Sequence, residues 1–352
     1  MLPFDLNIIE RGIRGLFARE FLTRQRKAKH PMFTTVVQSD KQEEKYNTIS
    51  TLPQLREVTD ERVLSGFSEY SYTLKNKVYS TGIKVPRTLF EFDQTAQLRT
   101  LVQSLGARVA NFPDKLLYSV MGANPTCYDG QSFFSATHDM GDGNAQVNTL
   151  TGQFTNSTIT GATSKTNRDD LIARFQLDLI AAKAQLLLLK DDRGEPWHET
   201  AEPESLLILC HPRVEFYVRT ALEAALVSDT GNVTLKSVRG LITTNYETPF
   251  TDSGPTLRYG TWYLMKTDTP IMPFIFQRFG PKMDFQDPIP EADQAVLQAL
   301  NSVEIQTVMR TGQMIDAHTF FDDEFLFGAR VIYSAGVGMW NNIIRVTAAD
   351  WS

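Results

Sequence analysis

Apolar positions recur at helical spacing near the start of the chain. In NIIERGIRGLFAREFLTRQRK, residues 7–27, Ile9, Ile13, Leu16, Phe17 and Phe21 fall on one side of a helix with Arg and Glu elsewhere, although two glycines weaken it. From Pro31 to about Thr59 the pattern changes to short extended segments, FTTVVQS being strand-like. Tyr70, Tyr72 and Leu74 then alternate with polar residues, and Val78, Ile83 and Val85 mark further extended chain. Two strands meeting at Lys75-Asn76-Lys77 predict a long hairpin, and a two-stranded ribbon is marginal by itself.

Helical periodicity returns over 93–111, DQTAQLRTLVQSLGARVAN, with an Asp cap and Leu98, Leu101, Val102, Leu105 and Val109 on one face. Pro113 is expected to interrupt it and Asp114 to open a second turn-rich helix. Residues 122–168 are rich in Gly, Asn, Thr and Ser, a loop composition, and so long a loop needs bracing by other elements or other subunits. A helix opened by Asn167 follows, and its LIARFQLDLIAAKAQLLLLK run is apolar enough for burial on more than one side. SLLILC is a short apolar strand, Pro212 opens VEFYVRTALEAAL as a helix, and VTLKSVRGLITTNY and TWYLMKTD complete an α/β unit. SVEIQTVMRTGQMI and FLFGARVIYSAGVG are strand-like again. The pattern predicts an α+β fold: one body built from both ends of the chain, with a second inserted from about 160 to 300.

Composition narrows the use of such a fold. The 352 residues are 42% hydrophobic, enough for a real core, and the net charge of −6 argues against a dedicated nucleic-acid reader. The first 30 residues are an exception, with seven Lys or Arg against three acids; they read as a solvated helix face or as an arm lying on a neighbour or a polyanion. Cys127 and Cys210 suggest neither a disulfide framework nor a metal site, and point to a reducing site of synthesis. No run approaches a membrane span, and the acids of MLPFDLNIIERG do not suit a signal peptide.

Catalytic patterns are sparse. The five histidines form no HExxH motif, no phosphate-binding glycine loop occurs, and the three acids Asp322, Asp323 and Glu324 lack the alternation of a calcium loop. Cys127 and His138, with Asp129 and Asp139, can be written as a thiol catalytic set, against the plainer reading of hydrogen-bonded loop residues. No catalytic residue, cofactor or metal is expected. Rings alternating with acids in CYDGQSFF, FFDDEFLFG and MWNN suit core anchors in a monomer and interface anchors in an assembly.

Those motifs carry a resemblance. CYDGQSFFSATHD at 127–139, KVPRTLFEFD at 84–93, KTDTPIMPFIFQ at 266–277 and FDDEFLFGARVIYSAGVGMW at 321–340 resemble the Mu-like major head subunit family of tailed phages. The resemblance implies the tailed-phage major capsid fold: an N-terminal arm (1–55), an extended loop (56–88), a peripheral domain whose first part carries a spine helix (89–164), an axial domain (165–300) and closing peripheral strands (301–352). It implies a non-enzymatic shell subunit that assembles in the host cytoplasm and resides in the virion. Its partners would be itself, as pentamers and hexamers, then portal and scaffold proteins, a decoration protein, and packaged double-stranded DNA touched without sequence preference. A lysine–asparagine crosslink, known in the wider fold, has its residue types at Lys75, Asn76 and Lys77 but no assignable carboxylate. Expected intersubunit contacts are Ile13, Phe17 and Phe21 in the arm and Phe67, Tyr70, Tyr72 and Tyr79 in the loop, with Arg62 and Lys75 as ion-pair partners. Arg24, Arg26, Lys27 and Lys29 are expected to face DNA. The rivals are a tail tube or sheath subunit, a cysteine-dependent hydrolase using Cys127 and His138, and an oligomeric binding domain.

Overall fold

A computed structural model describes residues 6–49, 69–86, 88, 97–139, 144–153, 165–191, 194–224, 226–227, 230–232, 234–251, 258–281, 290–308 and 324–348. The N-terminal helix α1 (Leu6–Gln25) leads to β1 (Thr34–Ser39), β2 (Glu43–Ile49), β3 (Glu69–Lys75) and β4 (Lys77–Pro86). Then come the long helix α2 (Gln97–Ala123), β5 (Thr149–Gly152), helix α3 (Lys165–Leu188), β6 (Leu206–Cys210) and α4 (Pro212–Glu223). The rest is β7 (Leu226–Val227), β8 (Thr230–Gly231), β9 (Gly240–Thr243), β10 (Trp262–Lys266), β11 (Phe274–Phe279), α5 (Glu291–Asn301), β12 (Val303–Val308), β13 (Glu324–Val337) and β14 (Ile343–Ala348).

The first sheet is organised by the 14-residue β13. One edge pairs antiparallel with β4 from Glu324↔Pro86 to Tyr333↔Lys77; along the other, β12 and β11 lie end to end. Strand β1 joins β11 in parallel. The two-residue period of a strand puts Phe325, Phe327, Ala329, Val331 and Tyr333 of β13 inside, so one face covers the core. Against that core lie α2, through Val102, Leu105, Val109, Leu117 and Met121, and α1 beyond it. Helix α2 runs unbroken through Pro113, contrary to the expected interruption. The missing hydrogen bond costs about 3 kcal/mol. Burial of Pro113 and of its flanking apolar positions offsets it.

Two further expectations are corrected. Strands β3 and β4 do not form a hairpin: β3 pairs with β2, and β4 continues into the sheet on β13. Asn76 alone separates them, too short for a two-residue hairpin turn. The second sheet, in order β5-β14-β10-β6-β9, contains the α/β unit read between 165 and 266 but recruits β5 from before it and β14 from the C-terminal segment. It loses β11 to the first sheet, so 301–352 closes both bodies. Strands β6 and β10 are buried at every position and β11 at five of six, so no polar face in the sequence tells which sheet takes them.

Candidate functional site

The β2–β3 ribbon is fixed to the first sheet near its root. Tyr46 and Tyr72 face each other across the ribbon; Tyr46 donates its hydroxyl to Gln277 Oε1 at 2.9 Å, and the Tyr72 hydroxyl bonds the backbone of Val337. Burial raises the Tyr72 phenol above its ordinary value. Leu74 is buried over Gly336 of β13, where an added Cβ would fall 2.3 Å from Leu74 Cδ2. The glycine lets the ribbon close on the sheet. Asn76 locks the exit: its backbone N–H donates to Gln42 O at 2.9 Å, and its side-chain amide donates to Ser39 Oγ at 3.1 Å and Lys41 O at 2.7 Å.

Beside the root, β4 and α2 enclose a groove of about 610 Å³ lined by Val78, Tyr79, Arg108, Phe112, Lys115 and Tyr246, among others. Tyr79 packs its ring on Phe112 at 4.8 Å, and Val78 is 58% exposed. The opposite face of the same strands carries a shallow notch where Gly82 stands directly across from Gly328. Such a surface offers apolar area, backbone and two cations; it suits gripping another protein surface.

The expected contact residues divide among these features. Ile13, Phe17 and Phe21 are buried in the chain's own core, where α1 packs on α2, so in this conformation they are not free to anchor an arm on a neighbour. Tyr72 and Tyr79 are half-buried on their own sheet and helix, and Lys75 lies 3.7 Å from Glu43, its own cross-strand partner. Tyr70 is described only as a backbone position paired with Thr48, and Arg62 and Phe67 lie outside the described residues. Of the cations expected to face DNA, Arg24 pairs with Glu20 and Arg26 with Asp293, each at 2.8 Å, while Lys27 and Lys29 are exposed. Exposed pairs are weak, about 0–1 kcal/mol, and neutralise half of the basic cluster without fixing it.

The Cys127–His138 pair does not assemble as a catalytic set. Burial pushes the Cys127 thiol up, away from a reactive thiolate, and its Sγ lies 3.8 Å from Gly338 O. His138 holds Asp129 Oδ2 through Nδ1 at 2.5 Å and lies 3.2 Å from Phe133 O through Nε2, while its ring stacks flat on Trp340 at 4.0 Å. The trio pins residues 127–138 to the C-terminal segment. The motif CYDGQSFFSATHD is thus a brace, in line with the plainer reading of hydrogen-bonded loop residues. Among the described residues no helix is long and apolar enough to cross a membrane.

Residues 6–165 match the family model described as Mu-like prophage major head subunit gpT. The chain is 30% identical over 109 residues to the Mu-like prophage FluMu major head subunit of Haemophilus influenzae, covering 30% of this chain and 35% of that one. It is 30% identical over 105 residues to the major capsid protein of Escherichia phage Mu, covering 29% and 34%. The matched stretch therefore spans about a third of these curated relatives. A solved capsid structure of the cyanophage P-SCSP1u is similar in fold, with a TM-score of 0.55 at 9% identity over 92% of this chain and 89% of that one.

Proposed function

We propose, starting from the match of residues 6–165 to the Mu-like major head subunit family model, that this protein is a major capsid protein whose copies associate into the icosahedral head shell around a phage genome. That family match carries the reading. The likeness in fold of 92% of the chain to the cyanophage capsid structure adds support for the remainder.

On this reading the mechanism is association, not turnover. Copies form pentamers and hexamers through the body built on the second sheet, residues 165–300 in broad outline, while the β2–β3 ribbon, which falls within the expected arm (1–55) and extended loop (56–88), reaches across to neighbours. The peripheral body (89–164 and 301–352) holds the spine helix and the long strands. A stable interface needs about 800 Å² per partner, so several surfaces must combine, the ribbon and the β4–α2 groove among them. Identical chains in a closed shell also meet inequivalent neighbours, so the contacts must tolerate small changes of angle. Portal, scaffold and decoration proteins would join a shell assembled in the host cytoplasm. DNA inside would be held mainly by confinement, with exposed cations such as Lys27 and Lys29 making contacts that ignore sequence.

Electron microscopy of the size-fractionated protein expressed alone tests this. Closed shells or five- and six-fold rings are expected; long tubes with a narrow regular lumen would overturn the capsid reading in favour of a tail protein.

A further inference from the structure

Helix α3 has two apolar faces and the fold uses one. Leu171, Phe175, Leu179, Ala182, Leu186 and the following Leu189 are buried, with Phe175 packed 5.0 Å from Trp262 of the second sheet. On the opposite side Leu177, Ile180, Ala181, Ala184, Leu187 and Leu188 are all exposed, Leu177 at 54%, Ile180 at 50% and Leu188 at 66%. Their spacing of i, i+3, i+4, i+7, i+10 and i+11 makes one continuous seam, since residues three and four apart are neighbours on a helix. No charged residue interrupts it. Lys183 turns aside to donate to Ser237 O at 2.6 Å, and Asp178 turns inward to accept the Gln153 N–H. A helix with apolar residues on two faces has two faces to cover, and this one is covered on one side only.

We infer that the outer seam of α3 is covered by a neighbouring copy of this chain in the assembled shell, an inference that rests on the capsid reading above. The size of the seam argues for that occupant. Twelve residues rise about 18 Å, and a helix face about 10 Å wide gives on the order of 200 Å². A lasting pair of proteins buries about 800 Å² on each side. The seam alone is too small to hold a separate partner, but it suits a contact that symmetry repeats around a closed ring, where each copy is held by several surfaces at once. Its two alanines, Ala181 and Ala184, let a second backbone approach closely, while the leucines at both ends supply knobs. On helix α4, which packs against α3, Phe216 is exposed as well.

The test places the photocrosslinking residue p-benzoylphenylalanine at Leu188 in the full chain and irradiates assembled particles. Covalent dimers of the chain are expected on a denaturing gel. Shells that yield no self-adduct, or an adduct only with a different protein, overturn the seam and leave the capsid reading standing. Tubes in place of shells overturn the capsid reading, while a self-adduct within them upholds the seam; a wild-type chain that remains monomeric overturns both. In parallel, Leu177→Glu with Ile180→Glu should leave the circular dichroism spectrum and melting of the monomer unchanged, because both side chains are exposed, and should reduce assembled material at least tenfold. Wild-type yield from that variant also overturns the inference.

Discussion

Replacing Leu74 by alanine should free the ribbon without unfolding the body. Leu74 is buried over Gly336, and the ribbon is also held by the two tyrosine hydroxyls, the Ser39–Glu44 bond and the Asn76 lock. Leu→Ala removes three carbons from that seat; at about 0.8 kcal/mol for each buried methylene the transfer loss is about 2.4 kcal/mol. Partial collapse of β3 onto Gly336 limits the added cavity cost, so the whole effect should be about 2–3 kcal/mol. With 1.4 kcal/mol per tenfold, detachment of the ribbon becomes about 30- to 140-fold more frequent. Native-state hydrogen exchange reads this directly: amides of Glu43–Ile49 and Glu69–Lys75 should lose protection by that factor, while those of α2 and β6 keep theirs. Unchanged protection in the ribbon would refute the seat, and equal loss throughout the chain would refute its independence from the body.

Tyr72→Ala should lower shell yield while the subunit stays folded, and Tyr72→Phe, which loses only the bond to Val337, should do so less; an assembly curve unchanged in both variants would remove Tyr72 from any role in association. Phe17→Ala should cost about 3–5 kcal/mol in urea denaturation of the isolated chain, because the ring is buried on α2; a loss seen only in assembly would restore Phe17 as an arm anchor. Asp114 gives a pH-dependent case. Burial alone would raise its carboxyl, but the His30 ring at 2.7 Å and the N–H groups of Lys29 and His30 hold it below its ordinary value. With the folded value depressed, the unfolded chain takes up the proton first, so this contribution is present above about pH 4 and is lost as pH falls through the folded value. Asp114→Asn should therefore destabilise the chain by about 1–3 kcal/mol at pH 7 and by progressively less below pH 4, and a gap constant with pH would contradict it.

Periodicity revealed the helices well because each buries one regular face: Val102, Leu105 and Val109 could be read directly as the inner side of α2. It failed at Pro113, where tertiary burial overrides a local preference, and at Asn76, where two good strand patterns adjoin but pair elsewhere. Sheet membership of β11 was illegible for a different reason: a strand buried on both faces carries no exposed side to show which layer it enters. The candidate contacts were chosen from the arm and loop that the resemblance implies, and sequence cannot separate a ring needed by its own core, such as Phe17, from one left for a neighbour. The outer seam of α3 was half visible, as an apolar excess in LIAAKAQLLLL, but which side stays open depends on where the second sheet lies.

The single-residue joint at Asn76 also has a mechanical meaning. Ribbon and long sheet share no ladder across it, so a change of backbone angle there re-aims the ribbon without shifting the register of β4 on β13. Seven residues of ribbon extend about 24 Å. A swing of about 10° at the joint therefore carries the far end about 4 Å, the width of roughly one strand spacing. The Leu74 seat, the Tyr46 and Tyr72 hydroxyl bonds and the bonds from Asn76 to Ser39 and Lys41 act together as stops on that swing, so the ribbon behaves less like a tether than like a pointer with a limited arc.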